Sequence, residues 1–215
     1  MRRTLLICTL IAACAVVVTA AFLPASSNDS GASRRALVTN STPAGSKSWA
    51  ARMGWRYVSY SEGDVSLSLS IEPMVNGPDR VYVPDVPNWL KAAPSWTKES
   101  RAEVLSRLKS VAWNRKLVWR ECDCPLQLGE HTVIRGTLES TPGGQALEER
   151  RLFEPGSKLT HKEAHKLWHE GARMFADQTK GAVTIYMSEV ITDSVFQVIE
   201  LPALKKNPNV TLVFK

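Results

Sequence analysis

A long apolar run near the N-terminus determines which part of this chain can fold as a water-soluble domain. Residues 5–23 are apolar except for two threonines, and they lie between Arg2-Arg3 and Pro24. This pattern is typical of an export signal. A cleavable signal needs an apolar region of about 7–15 residues and a membrane anchor needs about 20, so removal and retention of this segment both remain open. Because the arginines lie on the short flank, the rest of the chain is predicted to be extracytoplasmic, either periplasmic or secreted.

Lipidation is a third way in which this segment could be processed. The sequence Ile11-Ala12-Ala13-Cys14 resembles a bacterial lipobox, in which the cysteine carries the lipid. A polar tether would be expected after such a cysteine, but residues 15–23 remain apolar. A signal peptide or a single-pass anchor over residues 1–24 is therefore favoured.

The composition after the apolar run predicts one folded domain. Residues 25–48 are rich in Ser, Ala, Gly, Asn and Thr and show neither a helical nor a strand period, as expected of a flexible tether. Residues 49–215 contain no internal repeat and no second linker. They are numerous enough to bury the core of a single extracytoplasmic domain.

The periodicity of residues 49–215 predicts an α+β fold, with a mainly antiparallel sheet covered by two amphipathic helices. Strands are predicted at 55–60, 65–71, 80–83, 116–121, 183–190, 195–201 and 210–214, and helices at 97–112 and 160–180. A further hairpin is predicted from 131–139 and 146–153 around the turn 141–144, with a short helix at 147–153 as the alternative. The strands and helices do not alternate regularly, which disfavours a βαβ architecture.

The helix predicted at 160–180 contains a regular stripe of histidines. His161, His165 and His169 are spaced four residues apart, so a helix aligns them along one side. The outer two would lie about 12 Å apart along the helix axis, too far to share one zinc ion. Neighbouring pairs could bind zinc with a ligand from elsewhere in the chain, although the sequence matches neither H-E-x-x-H nor H-x-x-E-H. The favoured interpretation is a helix border whose imidazoles contact Trp168 or carboxylates.

Cys122 and Cys124 are the cysteines of the predicted exported domain, and they offer three chemistries. In an oxidising compartment they are expected to form a disulfide, and such a small ring could be redox-labile. Free or intermolecular thiols are the second interpretation. A mixed zinc site with the helix histidines is the third, although C-x-C is closer than the usual spacing of zinc ligands.

The 7 tryptophans suggest either a large core or an exposed aromatic surface. The segment around Trp113, Trp119 and Arg120 is the best candidate for a surface that binds glycan or protein, through stacking and cation–π contacts. Core packing is nevertheless the favoured interpretation, because tryptophans are usually well buried.

No nucleophile elbow, phosphate-binding loop or dinucleotide-binding motif occurs in the sequence. The net charge of +6 comes from basic residues scattered among acidic ones, which does not indicate a nucleic-acid partner. The sequence therefore favours a non-enzymatic module of the cell envelope that binds a protein or glycan and needs no cofactor. The alternative is a metal- or thiol-dependent site built from Cys122 and Cys124, with zinc as the candidate metal.

Overall fold

The computed structural model of the protein describes residues 38–39, 48–93, 95, 98–129, 131, 133, 136–185 and 190–215. The predicted signal or anchor segment lies outside these residues, as does most of the predicted tether. Within that tether, Val38–Thr39 form a short strand, β1, which pairs with Ala50 and Ala51. Among the described residues, no helix combines the length and the apolar character needed to cross a membrane.

The main sheet is built from the first seven strands of the described chain. Strands β2 to β7 are Trp49–Met53, Tyr57–Glu62, Val65–Glu72, Asp79–Pro84, Leu117–Cys122 and Gln127–Leu128. The order is β1-β2-β3-β4-β5-β6, and β7 pairs separately with β4. All pairs are antiparallel except β5 with β6. The predicted first hairpin is confirmed as β3 and β4, and Gly63 in its turn has a φ of 57°.

In the described residues, five α-helices accompany the strands, rather than the two that were predicted for residues 49–215. Helices α1 to α5 are Val86–Ala92, Lys98–Ser110, Pro142–Glu149, His161–Gln178 and Leu201–Lys206. The capping box predicted at the start of α4 is confirmed: Thr160 Oγ1 accepts from the Glu163 N–H, and the Glu163 carboxylate accepts from the Thr160 N–H. The fold is therefore α+β with a mainly antiparallel sheet.

The hairpin predicted around residues 141–144 is wrong, because a helix occupies its turn and residues 146–149 of its second strand. The alternative, a short helix at 147–153, is confirmed as far as Glu149, and residues 132, 134 and 135 of the first predicted strand lie outside the described residues. Leu138–Ser140 form a 3-10 turn, and the segment that follows it is helix α3. Thr141 caps this helix, its side chain accepting a hydrogen bond from the Gly144 N–H at 3.1 Å, and Pro142 occupies the first turn. Threonine followed by proline suits a helix start as well as a β-turn, which explains the error.

The strand predicted at residues 195–201 is also wrong. Phe196–Glu200 form a π-helix that continues directly into α5. Val195 is fully buried and Ile199 packs on the main core, so tertiary burial outweighs the strand preference of this β-branched run. The flanking predictions are confirmed in part by strands β8, Gly181–Ile185, and β9, Val210–Phe214. Residues 186–189 of the predicted strand lie outside the described residues.

The buried apolar side chains form two clusters. The main cluster lies between the large sheet and helices α2 and α4, and includes Trp55, Trp89 and Trp168. The second, smaller cluster contains Ala176 from the end of α4 with residues of β8 and α5. It supports a separate two-stranded parallel sheet made of β8 and β9.

Candidate functional site

A buried polar group lies where helix α4 crosses the main sheet. Asp79, at the start of β5, is fully buried, and its Oδ2 lies 2.5 Å from Arg115 Nε and 2.9 Å from His165 Nε2. Its Oδ1 accepts the Met74 N–H at 2.6 Å. Burial opposes ionisation of this carboxyl, but Arg115 and then His165 outweigh it and hold the pKa of Asp79 below its usual value.

Aromatic rings surround this buried group. The guanidinium carbon of Arg115 lies 4.3 Å from the ring centre of Phe153 and 5.1 Å from that of Trp55. Arg115 Nη1 also donates to the carbonyls of Gly54 and Trp55, both at 2.8 Å. The cation is thus shielded from solvent and its hydrogen bonds are directed to fixed acceptors, as expected of a structural core element.

The histidine stripe packs into this core. The ring centre of His165 lies 4.3 Å from that of His161 and 5.4 Å from that of His169. Burial, followed by the neighbouring His165, lowers the pKa of His161, and the same two causes lower the pKa of His169 to about 4. Both shifts favour the uncharged imidazole at neutral pH, and the His169 ring also packs edge-on against Trp55, with ring centres 5.9 Å apart.

The fold separates the histidine stripe from the cysteines. Asp79, which contacts His165, pairs with the first residue of β6, whereas Cys122 is the last residue of that strand. Five residues of strand correspond to about 16 Å, far beyond zinc–ligand distances. In the described parts of the chain, no three His, Cys, Asp or Glu side chains are grouped so that they could hold a metal ion. The mixed zinc site is therefore not assembled by these residues.

Cys122 and Cys124 are joined to each other by a disulfide. Both residues are half-buried, and they lie at the end of β6, which is an edge of the main sheet. The crosslink closes a loop of three residues, for which chain entropy predicts a stabilisation of only about 1.6 kcal/mol. A bridge of this kind contributes little to holding a domain together compared with one that closes a long loop.

The backbone around the cysteines is anchored independently of the crosslink. The Cys122 carbonyl accepts the Asp85 N–H at 2.9 Å, and Asn88 Nδ2 donates to Asp123 Oδ1 at 2.8 Å. Leu126, two residues beyond Cys124, is buried in the main cluster. Both ends of the loop are therefore fixed by contacts that do not involve sulfur.

The predicted aromatic surface on β6 is only partly exposed. Trp113 and Trp119 are half-buried against the main cluster, and Trp113 Nε1 donates to the Leu108 carbonyl at 2.9 Å. Lys109 Nζ lies 5.5 Å from the Trp119 ring centre, and Arg120 is exposed. The two rings thus contribute to packing against the main cluster, so the stretch is not a fully exposed aromatic platform.

A second buried ionic group had no signal in the sequence. Arg56 Nε lies 3.1 Å from Glu139 Oε1, and Arg56 Nη2 lies 3.0 Å from Glu200 Oε1. Burial raises the pKa of Glu200 and of nearby Glu72, with Arg56 opposing the shift in both cases. Glu139 and Glu200 lie more than 80 residues after Arg56 in the chain, so no local pattern could predict their meeting with it.

Glu200 also borders a small apolar cavity. The cavity has a volume of about 40 Å³ and lies between α4, β8 and the π-helix, with Phe175 and Phe196 in its wall. Sites for metabolites or cofactors are usually about 300–1,000 Å³. This cavity is therefore a packing defect of the second cluster rather than a substrate pocket.

Strand β9 exposes uncharged side chains on one face of the small sheet. Thr211 and Val213 are exposed on the side away from α5, and neither of them is charged. Phe214 is 54% exposed at the end of β9. Parallel sheets are normally covered on both faces, and two strands alone are marginally stable. The arrangement is typical of a sheet that is completed by an additional segment.

The outer edge of β9 carries main-chain groups directed away from β8. The Lys215 N–H donates to the Ile185 carbonyl at 3.0 Å, and the Gly181 N–H donates to the Asn209 carbonyl at 2.8 Å. Because alternate residues of a parallel strand face the same neighbour, the backbones of Leu212 and Phe214 face outwards. No strand of the described residues pairs with this edge.

Comparisons with protein-family models, curated proteins and solved structures find no match for this chain.

Proposed function

We propose that the protein is a non-enzymatic, extracytoplasmic interaction module that binds an extended, acidic segment of another envelope protein at the outer edge of β9. The observation that carries the proposal is the incomplete parallel sheet, with its uncharged outer face and its outward-facing backbone at Leu212 and Phe214. Adding a strand to such an edge is a common mode of peptide recognition, in which main-chain hydrogen bonds supply affinity.

The sequence of β9 supports this choice over the other long sheet edge. Exposed edges are usually protected by charged side chains that discourage further pairing. Strand β6 has this protection, because Arg120 and Glu121 are exposed. Strand β9 has the sequence VTLVF, without a charge.

Nearby charges favour an acidic partner. Lys205 and Lys206, at the end of α5, are exposed close to the start of β9, and Lys215 follows its end. The single acidic residue between Val195 and Lys215 is Glu200, which is buried. Two copies of the chain would bring these lysines together, so the same charges disfavour pairing of β9 with itself.

Photocrosslinking in cells that make the protein tests the proposal. A photoreactive residue at Val213 should crosslink a different protein, whereas one at Leu128, which is also exposed but lies in β7, should not. The charge-reversing pair Lys205→Glu and Lys206→Glu should lower the yield. A crosslinked dimer of the chain would replace the proposed partner with a second copy, and no adduct at Val213 would overturn the proposal.

A matched pair of variants separates the backbone edge from side-chain packing. Leu212→Pro and Leu212→Ala both remove the leucine side chain, but the proline variant also removes the outward N–H and leaves the N–H groups that face β8 intact. One backbone hydrogen bond is worth about 0.5–1.5 kcal/mol, so Leu212→Pro should bind the crosslinked partner about fivefold more weakly than Leu212→Ala. Equal affinities would show that the partner does not add a strand at this edge.

A further inference from the structure

We propose that the Cys122–Cys124 disulfide is a thiol-exchange site, which oxidises the dithiol of a protein or small molecule while its own two cysteines are reduced. The proposal does not depend on strand addition at β9, because the two features lie on different sheets. It rests on the small ring, the partial exposure of both cysteines and the anchoring of the loop around them.

The size of the ring argues for exchange rather than for a stabilising role. The two cysteines are separated by a single residue, so the crosslink restrains the unfolded chain very little. Exposed disulfides in small rings are also the ones that thiols reduce most readily, whereas structural disulfides resist the glutathione pool. Cys122 and Cys124 belong to neither buried cluster and are half-buried at a sheet edge, so an incoming thiolate would approach them from solvent rather than through the core.

The exchange is balanced without an additional oxidant. A thiolate of the substrate attacks one Sγ, the Cys122–Cys124 bond breaks, and the other sulfur leaves as a thiolate that takes a proton from water. The second thiol of the substrate then loses its proton and attacks the mixed disulfide, which releases the first cysteine. One dithiol becomes a disulfide, the cysteine pair gains two electrons and two protons, and every step is reversible.

The loop remains in position when the bridge opens. The last residue of β6 is held to β5 by sheet pairing and by the Asp85 N–H, and Asp123 is held by Asn88. The two thiols of the reduced form therefore remain close together, so that each can resolve a mixed disulfide formed on the other. Reduction is a local event rather than an unfolding event.

Equilibration of the full chain with glutathione and its disulfide tests this site. The protein is incubated in graded mixtures at pH 7, alkylated, and digested for mass spectrometry, so that this pair is measured separately from Cys8 and Cys14. We expect half-reduction in a mixture that leaves a long-loop structural disulfide of a reference protein oxidised, and full recovery when glutathione disulfide is added. A pair that remains oxidised throughout, or that fails to close again, would overturn the proposal.

Two further readouts separate a local exchange site from a buried bridge that opens on unfolding. The rate of reduction by dithiothreitol should be unchanged in urea below the unfolding transition, whereas a rate that rises with urea would show that the chain must open first. The variant Cys124→Ser should accumulate a glutathione adduct on Cys122, while the unaltered protein should resolve it into the ring. Accumulation of two adducts on the unaltered protein would also refute the proposal.

Discussion

Replacing Asp79 by asparagine tests whether the buried ionic group stabilises the fold. The side chains of Asp79 and Arg115 are both 0% exposed, and Arg115 Nε lies 2.5 Å from Asp79 Oδ2. Asparagine keeps the size of the side chain but leaves the guanidinium as an unpaired buried cation. Breaking a buried pair in this way costs about 3–5 kcal/mol. That is a large fraction of the 5–15 kcal/mol by which domains are usually stable.

The companion variants show where the loss comes from. Arg115→Met removes the cation and keeps an apolar side chain against Phe153, so the double variant Asp79→Asn/Arg115→Met buries no unpaired charge. We therefore expect the double variant to be more stable than Asp79→Asn alone, with a coupling energy of about 2 kcal/mol or more. Urea unfolding measured by tryptophan fluorescence reports this, because Trp55 lies beside Arg115.

Two results would refute this reasoning. A loss below about 1 kcal/mol for Asp79→Asn would mean that water or another side chain satisfies Arg115 when the carboxylate is gone. A double variant that loses the sum of the two single losses would mean that the two residues do not interact energetically. The slope of the urea transition should be equal in all four proteins, so that stabilities can be compared.

Three further predictions follow from the same structure. The pKa of His169 falls from 6.5 to about 4 on folding, so the unfolded chain binds more protons between these pH values and the free energy of unfolding decreases as the pH drops through that window. Allowing for partial exposure, the variant His169→Gln should lose about 1–2 kcal/mol less stability than the unaltered protein between pH 7 and pH 4, as measured by urea unfolding at both pH values. Equal losses of stability in the two proteins would contradict this prediction. Replacing Cys122 and Cys124 together by serine should cost less than about 2 kcal/mol by urea unfolding, and a larger cost would indicate a structural bridge. Gly144→Ala should lower stability by about 1–3 kcal/mol in thermal unfolding, because the added Cβ would overlap the Leu138 carbonyl in the preceding 3-10 turn. Gly143→Ala should be neutral or stabilising, because its Cβ would have no neighbour closer than 3.9 Å. A Gly143→Ala variant less stable than Gly144→Ala would contradict the packing described here.

Local sequence patterns correctly predicted the elements that are specified by residues close together in the chain. The alternation on both sides of Gly63 identified the β3–β4 hairpin, and Thr160 with Glu163 identified the start of α4. The errors arose where one sequence suits two structures. Thr141-Pro142 can begin a helix or a turn, and the β-branched run at 195–201 was interpreted as a strand although tertiary burial makes it helical.

The candidate sites were predicted only as far as they depend on neighbours in sequence. The cysteine pair was identified because its two members are almost adjacent, and the helical spacing correctly aligned the histidines along α4. The contact of His165 with Asp79 depends on a strand more than 80 residues earlier in the chain, which no local pattern encodes. The open edge of β9 was not predicted for a similar reason, because a strand sequence does not indicate how many neighbours the strand has.

Helix α4 belongs to both apolar clusters, which has a consequence for how the molecule opens. Ala164, Trp168 and Ala172 pack in the main cluster, whereas Ala176 packs in the second. The small sheet and the last turn of α4 can therefore form one cooperative unit, whose amide hydrogens exchange without opening the large sheet. A strand added at β9 would slow amide exchange throughout that unit and leave exchange in β3 and β4 unchanged. Binding at this edge would therefore be detected as higher protection of one cooperative unit, without a change in the conformation of the large sheet.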